Sequence, residues 1–351
     1  MTRKTSYQVA GRSLMVEARD AWAATAIDAL FPSWYLTPGG EMAAAPAISL
    51  ATGGGPAPIP PGLPAFAVAG GGTCYTDGDA SYIDIDGSVV AIGRAAPAGV
   101  EVFLGEPLPI ASPALTRLVS YALSAALRQQ RRFELHSAAV EDPRTGTGVL
   151  MAGPSGSGKS TMAVHLAAAG WPFLTDDVLL LGAVPDGGPH GVPDGGPDGG
   201  PHGGPVGVWA WPLRRRFAIT GETYAASGFL QARTNLEDLE LQDGKRPFAP
   251  HDVFAGGFRD RCRPGVLLFP ELTGGARTTV DRLTAGDTMA RLIRLNPWSA
   301  YDRSTAPQHL GVLSALTRQV TAFAVRAGRD LLDPAAAVAL VDDCVRQAQA
   351  R

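Results

Sequence analysis

Residues 153–160 read GPSGSGKS, and the fold expected for the second half of the chain follows from this stretch. It matches the pattern G-x-x-x-x-G-K-[ST], with Gly153, Gly158, Lys159 and Ser160 at the defined positions. Glycines allow consecutive backbone N–H groups to turn inward around a phosphate, and the lysine brings positive charge to the β- and γ-phosphate oxygens. The pattern therefore predicts a loop that binds the phosphates of a nucleotide.

The residues on either side of the loop favour the same interpretation. Residues 148–152 read GVLMA, which is typical of a buried strand, and residues 159–169 read as a helix that ends at Gly170. A strand, a glycine-rich loop and a helix in this order place a phosphate at a helix N-terminus. The residues expected to contact the nucleotide are Gly153, Pro154, Ser155, Gly156, Ser157, Gly158, Lys159, Ser160 and Thr161.

Two aspartates interrupt the next apolar run. Residues 171–181 read WPFLTDDVLLL, so Asp176 and Asp177 stand inside an otherwise apolar strand pattern. Adjacent strand residues point to opposite faces, so both carboxylates reach the site only if the strand ends or bends there. One carboxylate, with Asp177 as the candidate, is expected to hold magnesium with Ser160, and the other to accept a proton from an attacking hydroxyl. The alternative is an ordinary turn or strand-edge pair.

Two further sets of basic side chains are candidates. His136 lies on the predicted strand FELHSAAV, one strand before the loop, where it either lines the site or serves a structural purpose. Arg214, Arg215 and Arg216 follow the run WAWPL. Either one of them contacts phosphate, or all three form a solvated strand edge.

The composition disfavours several other classes of protein. Lys and Arg total 30 against 33 Asp and Glu, a net charge of −3, which disfavours general binding to nucleic acid. Cys74, Cys262 and Cys344 are far apart and odd in number, so neither a disulfide framework nor a zinc site is expected. No segment reads as a signal peptide or a membrane span. We therefore expect a soluble cytoplasmic protein with no nucleic-acid or membrane partner.

The order of the predicted elements indicates two domains. Residues 1–110 read as strands with one helix, residues 111–132 as a connecting helix, and residues 133–351 as strands alternating with helices. The expected fold class is α/β, preceded by a smaller α+β or mainly β domain. Residues 185–205 repeat Pro, Gly, Asp and His with a period of four, which predicts a flexible loop. The last elements expected are strands at 265–269 and 278–283, a helix at 284–295, a long helix within 305–328 and a final helix from Asp333.

Three of these features together resemble the HPr kinase/phosphorylase family and its HPr kinase-like relatives. They are His136 before the loop, the loop Gly153–Ser160 itself, and the pair Asp176 and Asp177 after the helix. The resemblance covers mainly residues 133–182. It implies a P-loop kinase domain of the phosphoenolpyruvate-carboxykinase-like type, with a mixed sheet and helices, which uses ATP and magnesium. It also implies transfer of the γ-phosphate to a serine hydroxyl on a protein or peptide, and it is compatible with a homo-oligomer.

The family's functional residues can be carried over position by position. The resemblance implies that Lys159 and Ser160 bind phosphate and magnesium, that one aspartate of the pair is the base and its neighbour the metal ligand, and that His136 lines the site. Thr161 stands where the HPr kinases proper usually have glutamate, and their second, acidic-Ile-Arg-Gly signature has no clear counterpart. The resemblance therefore does not extend to HPr as the substrate.

Three other functions are compatible with a phosphate-binding loop. A small-molecule kinase carries a similar loop followed by an acidic residue. A nucleotide-binding sensor or assembly protein binds ATP without transferring phosphate. An ABC-type ATPase requires an LSGGQ-like signature, and the sequence has none.

Overall fold

The structure is a computed structural model of the chain. It describes residues 2–350 except 40–46, 54–58, 69, 70, 78, 79, 86, 93–98, 186–205, 235–243 and 255. The predicted flexible repeat at 185–205 lies, apart from Pro185, outside the described residues. The fold is mixed α/β, and the chain divides into two compact units, Met1–Phe133 with Pro297–Leu310 and Glu134–Asn296 with Gly311–Arg351.

In the first unit, the described residues form one sheet of nine strands in the order β3-β1-β2-β4-β9-β8-β7-β6-β5. The chain begins with a hairpin, in which β1 and β2 pair antiparallel around a turn at Ala10 and Gly11. The helix α2 was expected to connect two domains, and instead it packs on the strands of this sheet. The elements are β1 (Arg3–Val9), β2 (Arg12–Ala18), α1 (Ala21–Leu30), β3 (Thr37–Pro38), β4 (Ile48–Thr52), β5 (Ala65–Ala67), β6 (Thr73–Thr76), β7 (Ser81–Ile85), β8 (Ser88–Ile92), β9 (Val100–Leu104) and α2 (Pro113–Gln129).

The second unit is built on a mixed sheet that the described residues form in the order β14-β13-β10-β11-β17-β19-β18, with β12 paired to β10. A separate two-stranded ribbon joins β15 and β16. The elements up to this ribbon are β10 (Phe133–Glu141), β11 (Gly148–Ala152), α3 (Lys159–Ala168), β12 (Phe173–Thr175), β13 (Val178–Pro185), β14 (Val206–Pro212), β15 (Phe217–Thr220), α4 (Gly221–Ala226), α5 (Gly228–Arg233) and β16 (Lys245–Phe248). The later elements are α6 (Pro250–Val253), β17 (Pro264–Leu272), β18 (Thr279–Arg282), α7 (Ala285–Leu295), α8 (Trp298–Tyr301), α9 (Ala306–Gln319), β19 (Thr321–Ala327) and α10 (Pro334–Gln349).

The segment Pro297–Leu310 differs from expectation, because we predicted that the second domain would run unbroken from 133 to 351. Its contacts explain why it belongs to the first unit. The guanidinium of Arg128 lies 4.5 Å over the Trp298 ring and 3.3 Å from the Asp302 carboxylate. The ring of His309 stacks on Phe133 with 4.5 Å between centroids.

A long helix was expected within residues 305–328, and the structure has one there, but the strand that follows it was not predicted. The helix α9 ends at Gln319, and Thr321–Ala327 is the strand β19. Six of its seven residues are buried, and it pairs with β17 on one side and β18 on the other. A short apolar run of this kind suits a central strand and a buried helix equally in sequence, and the neighbouring strands decide between them.

The helices α3 and α10 pack together against one face of the sheet. Met162 and Leu166 of α3 share a buried cluster with Val341 and Val345 of α10 and with Leu268 of β17. The strands β11, β17 and β19 are mutually parallel, so their carboxyl ends meet at one edge of the sheet. Ligand sites in α/β sheets form at this edge. No helix among the described residues is both long enough and apolar enough to cross a membrane.

Candidate nucleotide site

The loop between β11 and α3 has the tight geometry that its glycines predict. The Ser157 N–H donates to the Pro154 carbonyl at 3.3 Å, closing a turn. Gly156 and Gly158 have φ values of +80° and +99°, in the left-handed region that side chains disfavour. A Cβ atom at Gly153 would lie 2.7 Å from the Ser157 hydroxyl oxygen. The backbone path therefore favours glycine at 156 and 158, and the packing of the Ser157 side chain favours it at 153.

Lys159 is the first residue of α3, and its side chain folds back across the loop. Its ammonium nitrogen donates to the carbonyl oxygens of Gly153 and Pro154, both at 2.8 Å, and the residue is only 5 % exposed. Burial, with the nearby cation Lys245, lowers the pKa of Lys159 to about 8, while the charges of the acid pair oppose this. The ammonium group is thus held at the mouth of the loop, where it can meet phosphate oxygens.

The first turn of α3 also places polar groups at the mouth of the phosphate-binding loop. Gly158 caps the helix without a side-chain hydrogen bond, so the first backbone N–H groups are available to an anion. The Ser160 hydroxyl lies 3.4 Å from the backbone carbonyl of Asp176, and Thr161 shares a 2.9 Å hydrogen bond with the Thr223 hydroxyl. Ser160 therefore faces the acid pair, and Thr161 ties α3 to α4.

The strand breaks at the acid pair, as it must if both carboxylates are to lie near the site. Strand β12 ends at Thr175 and β13 begins at Val178. Asp176 is 1 % exposed, and its Oδ2 accepts the Ala218 N–H at 2.9 Å, whereas its buried Oδ1 has no hydrogen-bond partner. Burial, together with the neighbouring charge of Asp177, raises the pKa of Asp176 to about 7.

Asp177 points the other way, and its side chain is 33 % exposed. Its carboxylate oxygens lie 3.3 Å from Nδ1 of His136 and 3.6 Å from Nε of Arg214. Desolvation lowers the pKa of His136, and the cations Lys159, Lys245 and Arg214 act in the same direction against the opposing charge of Asp177. A neutral imidazole at neutral pH therefore stands beside an exposed carboxylate.

A cavity of about 500 Å³ opens beside the end of the loop. Its polar side carries Lys159 and Lys245, and its apolar side carries the aliphatic residues Leu272, Leu331 and Leu332. The ends of β17 and β19, the first turn of α3 and the ribbon β15–β16 form its walls. Pockets of this size and mixture of apolar wall and converging charge are typical small-molecule sites.

The structure brings the predicted residues together and adds some that the sequence analysis missed. His136, the loop and both aspartates lie in one region, joined by Arg214 and Lys245. Arg215 and Arg216 do not line this cavity. Lys245 lies in a four-residue strand far along the chain, where register places it opposite Thr220. The only signal in the sequence is rarity, since the other lysines are Lys4 and Lys159.

An aromatic cluster fixes the ribbon that carries Lys245. Phe217 of β15 contacts Phe173 of β12 with 5.5 Å between ring centroids, and Phe248 of β16 at 5.9 Å. Phe254 lies about the same distance from both Phe217 and Phe248, at 6.0 Å. Edge-to-face and tilted contacts at these distances add to the stability of a buried cluster. The cluster therefore sets the position of the ribbon relative to the acid pair.

We expect Lys245→Gln to raise the pKa of Lys159 above about 8, because one of the cations that lowers it is removed. The loss of a charge that lines the cavity should also weaken ATP binding about tenfold. Titration of the lysine side chains by NMR is direct here, since the chain has three lysines. Lys4→Gln, in the first unit, is the matched control. If the pKa of Lys159 is the same in Lys245→Gln as in the wild type, the assigned electrostatic interaction between Lys159 and Lys245 is contradicted.

Magnesium is the metal that a phosphate-binding loop usually requires, and the residues present fit it in part. The described residues contain no cluster of three or more His, Cys, Asp and Glu side chains that could hold a metal ion alone. The Ser160 hydroxyl and the unpartnered, buried Oδ1 of Asp176 are both oxygen donors of the kind that Mg²⁺ selects. A magnesium site completed by phosphate oxygens and water needs few protein ligands, and these two residues are the ones that would hold it.

No family model matches the chain, and no curated protein matches it. Among solved structures it is similar to the Hpr(Ser) kinase/phosphatase from Coxiella burnetii, at 13 % sequence identity and a TM-score of 0.24. The match covers 40 % of this chain and 59 % of that one. So low a TM-score carries no argument about activity, and the functional conclusion depends on the site itself.

Proposed function

We propose that the protein is an ATP-dependent kinase that transfers the γ-phosphate to a hydroxyl group, that of a serine in a protein or peptide. The observation that carries the proposal is the partly exposed carboxylate of Asp177 beside His136 and Arg214, in the same charged cluster as the ammonium group of the loop lysine. A protein that only binds nucleotide needs the loop but has no use for an accessible base next to it.

The direction in which the chain runs through the loop supports one orientation of the bound nucleotide. The loop and the first N–H groups of α3 hold the phosphates, with the γ-phosphate toward Pro154 and Ser155 and the rest of the nucleotide toward Thr161. The 500 Å³ cavity lies on the Thr161 side and has aliphatic walls, which suits a purine base. The charged cluster at Asp177 is thereby left for the acceptor.

The chain's own groups then account for the transfer. Asp177 accepts the proton of the acceptor hydroxyl. The oxygen of that hydroxyl forms a bond to the γ-phosphorus as the bond from phosphorus to the bridging oxygen breaks and ADP leaves. His136, a neutral imidazole whose Nδ1 lies 3.3 Å from the Asp177 carboxylate, orients that carboxylate. Lys159 and Lys245 offset the negative charge of the transferring group, so positioning and electrostatics supply most of the catalysis.

The proposed metal ligands are Ser160 and Asp176 rather than the Ser160 and Asp177 expected from sequence. Asp176 is the aspartate with a buried, unpartnered oxygen, and the hydroxyl of Ser160 lies against that residue. Magnesium held there would neutralise charge on the β- and γ-phosphate oxygens. This assignment leaves Asp177 free to act as the base.

The test is transfer of label from γ-labelled ATP in the presence of magnesium. The purified full chain is incubated with a heat-treated cell extract that has been separated into protein, peptide and small-molecule fractions. We expect label in the protein or peptide fraction with the wild type and with Lys4→Ala, and none with Lys159→Ala. Transfer of label should be lost in Lys159→Ala because the Lys159 side chain contacts the phosphate-binding loop. It should persist in Lys4→Ala because Lys4 lies in the first unit.

The other outcomes would replace the proposal with one of its rivals. Label that appears only in a metabolite would make the protein a small-molecule kinase. Release of free phosphate alone, or no turnover together with tight ATP binding, would make it a nucleotide-dependent sensor or assembly protein.

A further inference from the structure

A second cavity, of about 470 Å³, lies against the opposite end of the phosphate-binding loop. Loop residues 153–157 form one side, the end of β17 forms another, and α7 closes it with Arg291, Arg294 and Leu295. It shares Gly156 and Leu272 with the nucleotide cavity. The mechanism described above assigns no function to it.

The cavity carries excess positive charge. Arg291 and Arg294 are three residues apart on one helix, which makes them neighbours on its surface. Within the part of the chain that the structure describes, neither has a carboxylate within ion-pair distance, and Arg291 is steadied by the Phe269 ring, 5.6 Å from its guanidinium. The acidic member of the lining is Glu271, so two cations face one anion.

The position of the cavity relates it to the acceptor rather than to the base of the nucleotide. Pro154 and Ser155 line it, and this is the end of the loop at which the γ-phosphate lies in the proposed orientation. A ligand in this cavity would therefore sit next to the group being transferred.

We propose that this cavity binds an acidic segment of the acceptor polypeptide, with Arg291 and Arg294 pairing to its carboxylates. The proposal rests on the proposed kinase function and names the class of substrate. A guanidinium group can donate two parallel hydrogen bonds to one carboxylate. This bidentate geometry strengthens binding and favours an acidic peptide over a neutral one.

The other walls of the cavity favour a polypeptide over a small hydrated anion. Phe269, Pro270 and Leu295 are apolar, and Leu272, which is 61 % exposed, stands at the junction of the two cavities. A small anion gains nothing from such walls, whereas the methylene groups and neighbouring side chains of an acidic peptide bury against them.

The experiment measures binding of two fluorescein-labelled peptides to the full chain by fluorescence anisotropy, without nucleotide and at constant salt. One has a serine flanked on each side by three glutamates, and the other replaces every glutamate with glutamine. We expect the acidic peptide to bind at least about tenfold more tightly than the neutral one. Arg291→Gln combined with Arg294→Gln should abolish this difference, whereas Glu271→Gln should tighten acidic-peptide binding a few-fold. Arg282→Gln, exposed on β18 and outside both cavities, is the matched control and should change nothing.

Equal binding of the two peptides, or an acidic-peptide affinity that is the same in the double arginine variant, would overturn the proposal. Weaker binding in the arginine variants could also arise from a loss of folding. Glu271→Gln avoids this ambiguity, because tighter binding of the acidic peptide cannot be a result of unfolding. Transfer of label from γ-labelled ATP, compared between the wild type and Lys159→Ala, is measured separately. Failure of the proposed function would appear in that comparison, and failure of the acidic-peptide inference would appear in the peptide data.

Discussion

Asp177→Asn should lower the rate of phosphoryl transfer by about 1,000-fold, because asparagine keeps the shape of the side chain but cannot accept the proton of the acceptor hydroxyl. ATP affinity should change little, since Asp177 faces His136 and Arg214 and lines neither cavity. The measurement is single-turnover transfer at saturating ATP, with the equilibrium affinity for a fluorescent ATP analogue measured beside it.

The matched control is Asp260→Asn, an exposed aspartate of the same unit that lines neither cavity. It should transfer phosphate at the wild-type rate. Near-normal turnover in Asp177→Asn would remove Asp177 as the base. A large loss of ATP affinity without a change in the transfer step would instead assign Asp177 to nucleotide binding.

Asp176→Asn should remove a large pH dependence of folding stability. The pKa of this carboxyl rises from 3.8 to about 7 in the folded state, because the group is buried beside Asp177. Between these pH values the folded state binds more protons than the unfolded state, so stability falls as pH rises. The contribution is fully present below about pH 4 and is lost as pH rises through about 7, a difference of about 4 kcal/mol for this group alone.

Urea unfolding of the wild type and Asp176→Asn at several pH values between 4 and 8, with EDTA present, isolates this contribution. Other carboxyl groups titrate in the same range, but they are common to both proteins and cancel in the difference between the two free energies. The asparagine variant should gain stability relative to wild type as pH rises. Asp260→Asn, which replaces an exposed aspartate of the same unit, is the control. A difference that does not change with pH would contradict the burial of a titrating carboxyl at Asp176.

Interactions close together in sequence were predictable from the chain alone. The spacing of GPSGSGKS predicted a tight loop, and the left-handed φ values at Gly156 and Gly158 are local consequences of that spacing. Asp333 was predicted to begin a helix, and its side chain accepts the backbone N–H of Ala335, two residues onward. Helix caps and hairpin turns depend on neighbours within a few residues, so they can be read without the fold.

The same chain left the assignment of the acid pair open. Both residues are aspartates, and no pattern distinguishes the buried one from the exposed one. Asp176 turns toward Ala218 of β15, and Asp177 turns toward His136 of β10. Which of these surroundings each carboxylate meets depends on how strands distant in sequence are packed, and that packing also sets their ionisation.

The sequence by itself therefore determined the phosphate-binding loop and the helix that follows it, because short-range backbone preferences control them. The tertiary structure alone decided that residues 321–327 are a strand and that Pro297–Leu310 belongs to the first unit. It also decided that Lys245 joins Lys159, and that Arg291 and Arg294 face the other end of the loop. These features arise from side chains brought together by sheet pairing and core packing, and such contacts leave no periodic signal in the chain.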